Sequence, residues 1–126
     1  AFGLPADRLP EVSTGDHYTP SGYNDPVLVE RVVAVFRERF GAGQVVEVEP
    51  MMGGEDFARY GRQEPTIPSM MFMLGAVPPA RWAASEAGEA SLPSLHSPLF
   101  YPDPAPTIAT GVEALTRAAL ALFAAP

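Results

Sequence analysis

The chain has 126 residues, 47% of them apolar and 18% charged, the proportions of one ordinary globular unit and not of a disordered chain. Its net charge is −7, and its eight bases are all Arg and scattered, which disfavours binding to phosphate backbones. It has no Cys, which excludes disulfides, Cys-ligated zinc and thiol catalysis together, and no run approaches the ~20 apolar residues of a membrane span.

Residues 1–26 are punctuated by Pro5, Pro10, Pro20 and Pro26, with Gly3, Gly15 and Gly22 between them. They read as an irregular arm with at most a short strand at Glu11–His17. Such an arm seldom opens a compact domain, so it is expected to belong with missing residues or to wrap a partner. No basic n-region or initiator Met is visible, so no signal peptide is expected and the true N-terminus is expected to be lost. A cytoplasmic location fits best, with a secreted or periplasmic one left open.

The first strong element follows. Asp25 suits a helix N-cap and Pro26 the first helical position, where no N–H is needed. Leu28, Val32, Val35, Phe36 and Phe40 recur at helical spacing, and Gly41 and Gly43 end the run, predicting an amphipathic helix of about four turns. Val45–Glu49 reads as a short strand stopped by Pro50. After the turn Met52-Gly53-Gly54, Glu55–Tyr60 reads as a short helix with Glu55 and Asp56 in its first turn, where carboxylates are favoured. The apolar run Ser69–Leu74 reads as a strand buried on both faces. It is expected to lie beside Val45–Val48 in one sheet, joined by a right-handed crossover through Gly53–Gln63.

Residues 76–106 hold seven prolines, Trp82 and His96, and show little periodicity. They are expected to form a long functional loop. Thr107–Phe123 reads as a closing helix, capped by Thr107 or by the pair Thr110 and Glu113, with an apolar stripe of Val112, Leu115, Ala119, Leu122 and Phe123. The alternation of elements predicts an α/β fold with a mostly parallel or mixed sheet flanked by helices, and two or three strands imply part of a larger sheet.

Few residues can carry chemistry. His17 lies in the arm and reads as a surface residue. His96, in Leu95-His96-Ser97-Pro98-Leu99-Phe100, reads equally as structural or as a metal-binding or catalytic residue. Gly53-Gly54-Glu55-Asp56 reads either as a plain strand-to-helix turn or as a site whose glycines let a ligand approach the backbone. It is no phosphate loop, since no Lys follows. The Met residues read as core filler, and Trp82 as a pocket wall or a packing anchor.

The ordered series Tyr23-Asn24-Asp25-Pro26, Met52-Gly53-Gly54-Glu55-Asp56-Phe57, Leu74-Gly75 and Leu95-His96-Ser97-Pro98-Leu99-Phe100, with a closing helix, resembles the C-terminal part of the zinc-dependent amidohydrolases. These are the aminoacylases, hippurate hydrolases, auxin-conjugate hydrolases and carboxypeptidase G-like enzymes. The resemblance covers roughly residues 18–124. One departure follows His96, where Asp103 stands alone before Pro104 in place of an acidic pair.

The resemblance implies the C-terminal portion of a three-layer α/β catalytic domain. Residues 1–22 would return from a missing lid and dimerisation domain, and residues 23–126 would form the C-terminal half of a discontinuous catalytic domain. His96 would be the late metal ligand, and Glu55 and Asp56, with Gly53 and Gly54, would line the site. The parent would hold zinc or another divalent metal and hydrolyse N-acyl amino acids or related amides and peptides. This chain would lack the N-terminal half, bind no metal tightly and be inactive alone. A homodimer is expected as an option, with no nucleic acid or membrane partner. The alternative is a non-catalytic α/β module that self-associates through its arm or its long loop.

Overall fold

A computed structural model describes Gly3–Ala124. Ala1 and Phe2 of the expected return segment, and Ala125 and Pro126 at the other end, lie outside the described residues. Three α-helices form the frame: α1, Pro26–Phe40; α2, Pro79–Glu86; and α3, Pro104–Phe123. Short 3-10 turns at Ala6–Arg8, Ala42–Gln44 and Asp56–Arg62 interrupt the rest.

Helix α1 is built as its residues dictate. The Asp25 carboxylate accepts the Leu28 N–H at 2.9 Å, Pro26 occupies the first turn, and Gly41 ends the helix at φ 92°. Val32 and Phe36 are buried, with Leu28, Val35 and Phe40 packed around them.

Helix α3 lies antiparallel to α1. Arg31 donates to the Ala121 carbonyl at 3.0 Å and Arg39 pairs with Glu113, so a step toward the end of α1 is an equal step back along α3. The α3 cap differs from the expected one, with Asp103 at the N-cap and Pro104 in the first turn. The buried face also differs. Ala114 is buried and Ala118 packs on the core, while Val112, Leu115 and Phe123 are 61%, 62% and 86% exposed. The reason is shape: Phe36 and Phe40 fill the space between the helices, so α3 presents its small residues there, and large faces small.

The expected α/β sheet is absent. Among the described residues there is no strand, and the fold is helical with extended connections. Val45–Glu49 and Ser69–Leu74 are extended but form no ladder with each other. Instead, the Asn24 side-chain amide brackets Met71, accepting its N–H and donating to its carbonyl, each at 2.8 Å. Asp25 N–H reaches the Ser69 carbonyl at 2.9 Å, and Asp103 N–H reaches the Ala76 carbonyl at 2.8 Å. The segment thus spans the starts of α1 and α3. Met70 and Phe72 pack, partly buried, against the helices, with the Phe72 ring edge-on to Phe36 at 5.0 Å, while Met71, Met73 and Leu74 stay exposed, so the run is covered on one face and not on both as expected. A helix face covers one side of an extended run, whereas the expected sheet with flanking helices would have covered both. Two strands alone would also make a marginal ladder.

The expected long loop contains α2. Two prolines open it, Ala80–Ala87 supplies helix formers, and Gly88 follows at φ 74°. No helix among the described residues is long and apolar enough to cross a membrane.

Candidate functional site

The glycine turn leads into the 3-10 helix Asp56–Arg62. Glu55 caps it, its carboxylate accepting the Phe57 N–H at 3.3 Å, and Asp56 sits in its first turn. Gly53 and Gly54 are exposed, and Gly54 lies beside Thr19, where an added Cβ would meet the threonine methyl at 3.5 Å. The helix also grips the arm: Arg59 donates to the Tyr18 carbonyl at 2.6 Å and Arg62 to the Ser21 hydroxyl at 3.3 Å. Between these contacts Pro20 is buried.

Two clefts result. A wide depression of about 560 Å³ is lined by Glu55, Asp56, Arg59, Tyr60 and Gln63 among others. A narrower one of about 300 Å³ lies between the start of α1 and the 3-10 helix, and includes Asn24, Glu55, Phe57, Arg62 and Met71. Glu55 borders both. Both carboxylates are exposed, and Phe57 and Tyr60 form a tilted aromatic pair at 5.2 Å beside them.

His96 sits elsewhere on the surface and lines neither cleft. It occupies a turn closed by Ser97 N–H to the Ser94 carbonyl at 2.9 Å and braced by the Ser97 hydroxyl, which accepts the Leu99 N–H at 3.1 Å. The imidazole is exposed. Leu95 and Leu99 are 59% and 75% exposed, so they do not anchor the turn. His17 is exposed in the arm.

Among the described residues no group of three or more His, Asp or Glu side chains stands close enough to hold a metal ion. The residues present therefore do not fit a metal centre by themselves. The structure brings Glu55 together with Asp56 and joins them to Arg59, Tyr60 and Arg62, which the sequence reading did not single out. Their signal was the spacing of Arg59 and Arg62, which puts both on one side of a 3-10 helix.

A model of Peptidase family M20/M25/M40 matches residues 10–98. The chain belongs to this family. The match takes in α1, the glycine turn with Glu55 and Asp56, the extended run 69–74, α2 and His96, and it stops short of α3. No solved structure matches the chain.

Proposed function

We propose that this member of the peptidase family M20/M25/M40 is the C-terminal part of an amidohydrolase acting on N-acyl amino acids or related amides and peptides, and that it is inactive by itself. The observation that carries this reading is the family match, which spans both the Glu55-Asp56 turn and His96. The family is generally metal-dependent. Among the described residues, His96 belongs to no group of three or more His, Asp or Glu side chains that could hold a metal ion. A catalytic zinc takes three protein ligands, so the other ligands would come from polypeptide that this chain lacks. In this reading, His96 is one ligand, presented on a turn that Ser97 stiffens. Glu55 and Asp56 line the site, and Arg59 and Arg62 hold the arm so that the narrower cleft keeps its shape.

Complementation tests the reading. The chain is mixed or co-expressed with the N-terminal half of a hydrolase of this family, and release of amino acid from an N-acyl amino acid is followed. Activity that needs both polypeptides and disappears in His96→Ala supports it. Two correctly folded halves that associate and remain inert overturn it. Zinc added to the chain alone should bind no better than to a single exposed imidazole. Submicromolar, stoichiometric binding lost in His96→Ala would show that the chain builds a metal site without the other half.

A further inference from the structure

Two Asp–Pro bonds occur in the chain, Asp25–Pro26 and Asp103–Pro104, and each joins a helix N-cap to the first helical residue. The second is the departure noted after His96, and the proposed function makes no use of it. The two helix starts treat their aspartates differently. One Asp25 carboxylate oxygen accepts the Leu28 N–H at 2.9 Å, so that bond must break before the carboxylate can turn onto its own backbone carbonyl. The Asp103 backbone is held as well: its N–H donates to the Ala76 carbonyl at 2.8 Å, and its carbonyl accepts the Thr107 N–H at 3.2 Å. Its carboxylate caps nothing and joins no ion pair among the described residues. Arg81, the charged group of α2 that reaches this turn, donates to the Tyr101 carbonyl at 3.3 Å instead. Asp103 is half-buried and Pro104 exposed, so water reaches the bond.

We propose that Asp103–Pro104 is a self-scission site, cut in mild acid by the Asp103 carboxylate, while the cap protects Asp25–Pro26. A carboxylate oxygen of Asp103 attacks the residue's own backbone carbonyl carbon and closes a five-membered anhydride. The bond from that carbon to the Pro104 nitrogen breaks as the nitrogen takes a proton from solvent. Pro104 leaves as a secondary amine, a more basic leaving group than a primary one, because its peptide nitrogen is tertiary and carries no N–H. Water then opens the anhydride and returns Asp103 with a free α-carboxyl group. The sum is the addition of one water, with no change in oxidation state. The cut separates α3 from the residue that ties its start to Ala76, and leaves the helix that supplies Ala114 to the core joined to α1 by side chains alone. The inference does not depend on the hydrolase reading, because fragment mass reports one and activity the other.

Incubation of the intact chain in mildly acidic buffer, at a pH where circular dichroism still reports the helices, tests it by mass spectrometry. Fragments 1–103 and 104–126 should accumulate, and cutting at Asp25–Pro26 should be slower by roughly fivefold, the ratio that one N-cap hydrogen bond corresponds to. In urea that unfolds the chain, the two bonds should be cut at like rates, because the cap is gone. Asp103→Ala should remove the cut with unchanged circular dichroism, since the carboxylate caps nothing. If that variant loses helicity, Pro104→Ala is read instead: it keeps the carboxylate, gives the bond an ordinary N–H, and should slow the cut. A folded chain that stays whole, or is cut equally at both bonds, overturns the proposal. So does a cut that persists in Asp103→Ala, or a preference for Asp103–Pro104 that is unchanged in urea.

Discussion

Asn24 and Asp25 show how two adjacent side chains organise this molecule. Asp25 caps α1 through the Leu28 N–H, and Asn24 supplies Met71 with both backbone hydrogen bonds that a neighbouring strand would otherwise give it. Asp25→Ala should cost about 1 kcal/mol in urea unfolding, the usual loss for an N-cap. Asn24→Ala should cost a similar amount, and hydrogen exchange at the Met71 amide should speed up because that N–H loses its acceptor. Glu113 adds a pH dependence. Its hydrogen bond from Arg39, and then that from Arg117, hold its carboxyl below the ordinary value of 4.5, against a smaller opposing effect of burial. A carboxylate whose folded-state pKa is depressed stabilises the fold above its unfolded pKa, and loses that contribution as pH falls through the folded value. The link between α1 and α3 should therefore be intact at neutral pH and weaken below about pH 4.5. Glu113→Gln should flatten that acid limb, followed by circular dichroism at low salt, and added salt should mask part of the difference because the pair is solvent-exposed.

Between elements, the contrast between the two faces of α3 is open to direct measurement. Phe36 is 6% exposed and packs edge-on against Phe72 and Phe40, so Phe36→Ala should cost about 3 kcal/mol or unfold the chain outright. Leu115→Ala, on the exposed stripe, should change the stability of the single chain by less than about 0.5 kcal/mol. A reversed ranking in thermal unfolding would mean that α3 packs through its bulky side after all. Gly111 and Gly41 make a second pair. An added Cβ at Gly111 meets only the Leu74 Cδ2 methyl, at 3.0 Å, the free end of a side chain 37% exposed. That methyl can turn aside, so Gly111→Ala should stabilise α3 by up to about 1 kcal/mol through helix propensity. Gly41 sits at φ 92° and ψ 145°, a region nearly closed to other residues, and Gly41→Ala should cost about 1–3 kcal/mol.

At the scale of the whole molecule the governing quantity is surface. The chain exposes 10739 Å², whereas a compact chain of this mass exposes about 6,500 Å². Among the described residues the apolar core is confined to Val32, Phe36 and Ala114, while Met52, Val48, Leu99 and the α3 stripe remain in water. Burial on this scale stabilises only weakly, so the isolated chain should unfold with a urea m-value at the low end of the ~1–3 kcal/mol/M of small proteins, and should bind a hydrophobic dye without denaturant. A steep, dye-free transition would count against so open an arrangement. The sequence by itself determined what depends on neighbours along the chain: α1 with its Asp25-Pro26 start and Gly41 stop, the existence of α3, the Glu55-Asp56 turn, and the family, whose motifs are strings of adjacent residues. Only the tertiary structure decided what depends on distant partners. The periodicity of α3 marked an apolar stripe but could not say that the bulk of Phe36 would select the adjacent, small-residue face. The run Ser69–Leu74 suggested burial on both faces, but only Met70 and Phe72 found cover, because α1 with the Asn24 amide took the place of the expected neighbouring strands on one side alone. His96 and Glu55 were both legible as candidates, yet their placement on different parts of the surface depends on how the extended segments are tied to the helix starts, and those ties join residues some fifty positions apart in the chain, as Asn24 and Met71 do.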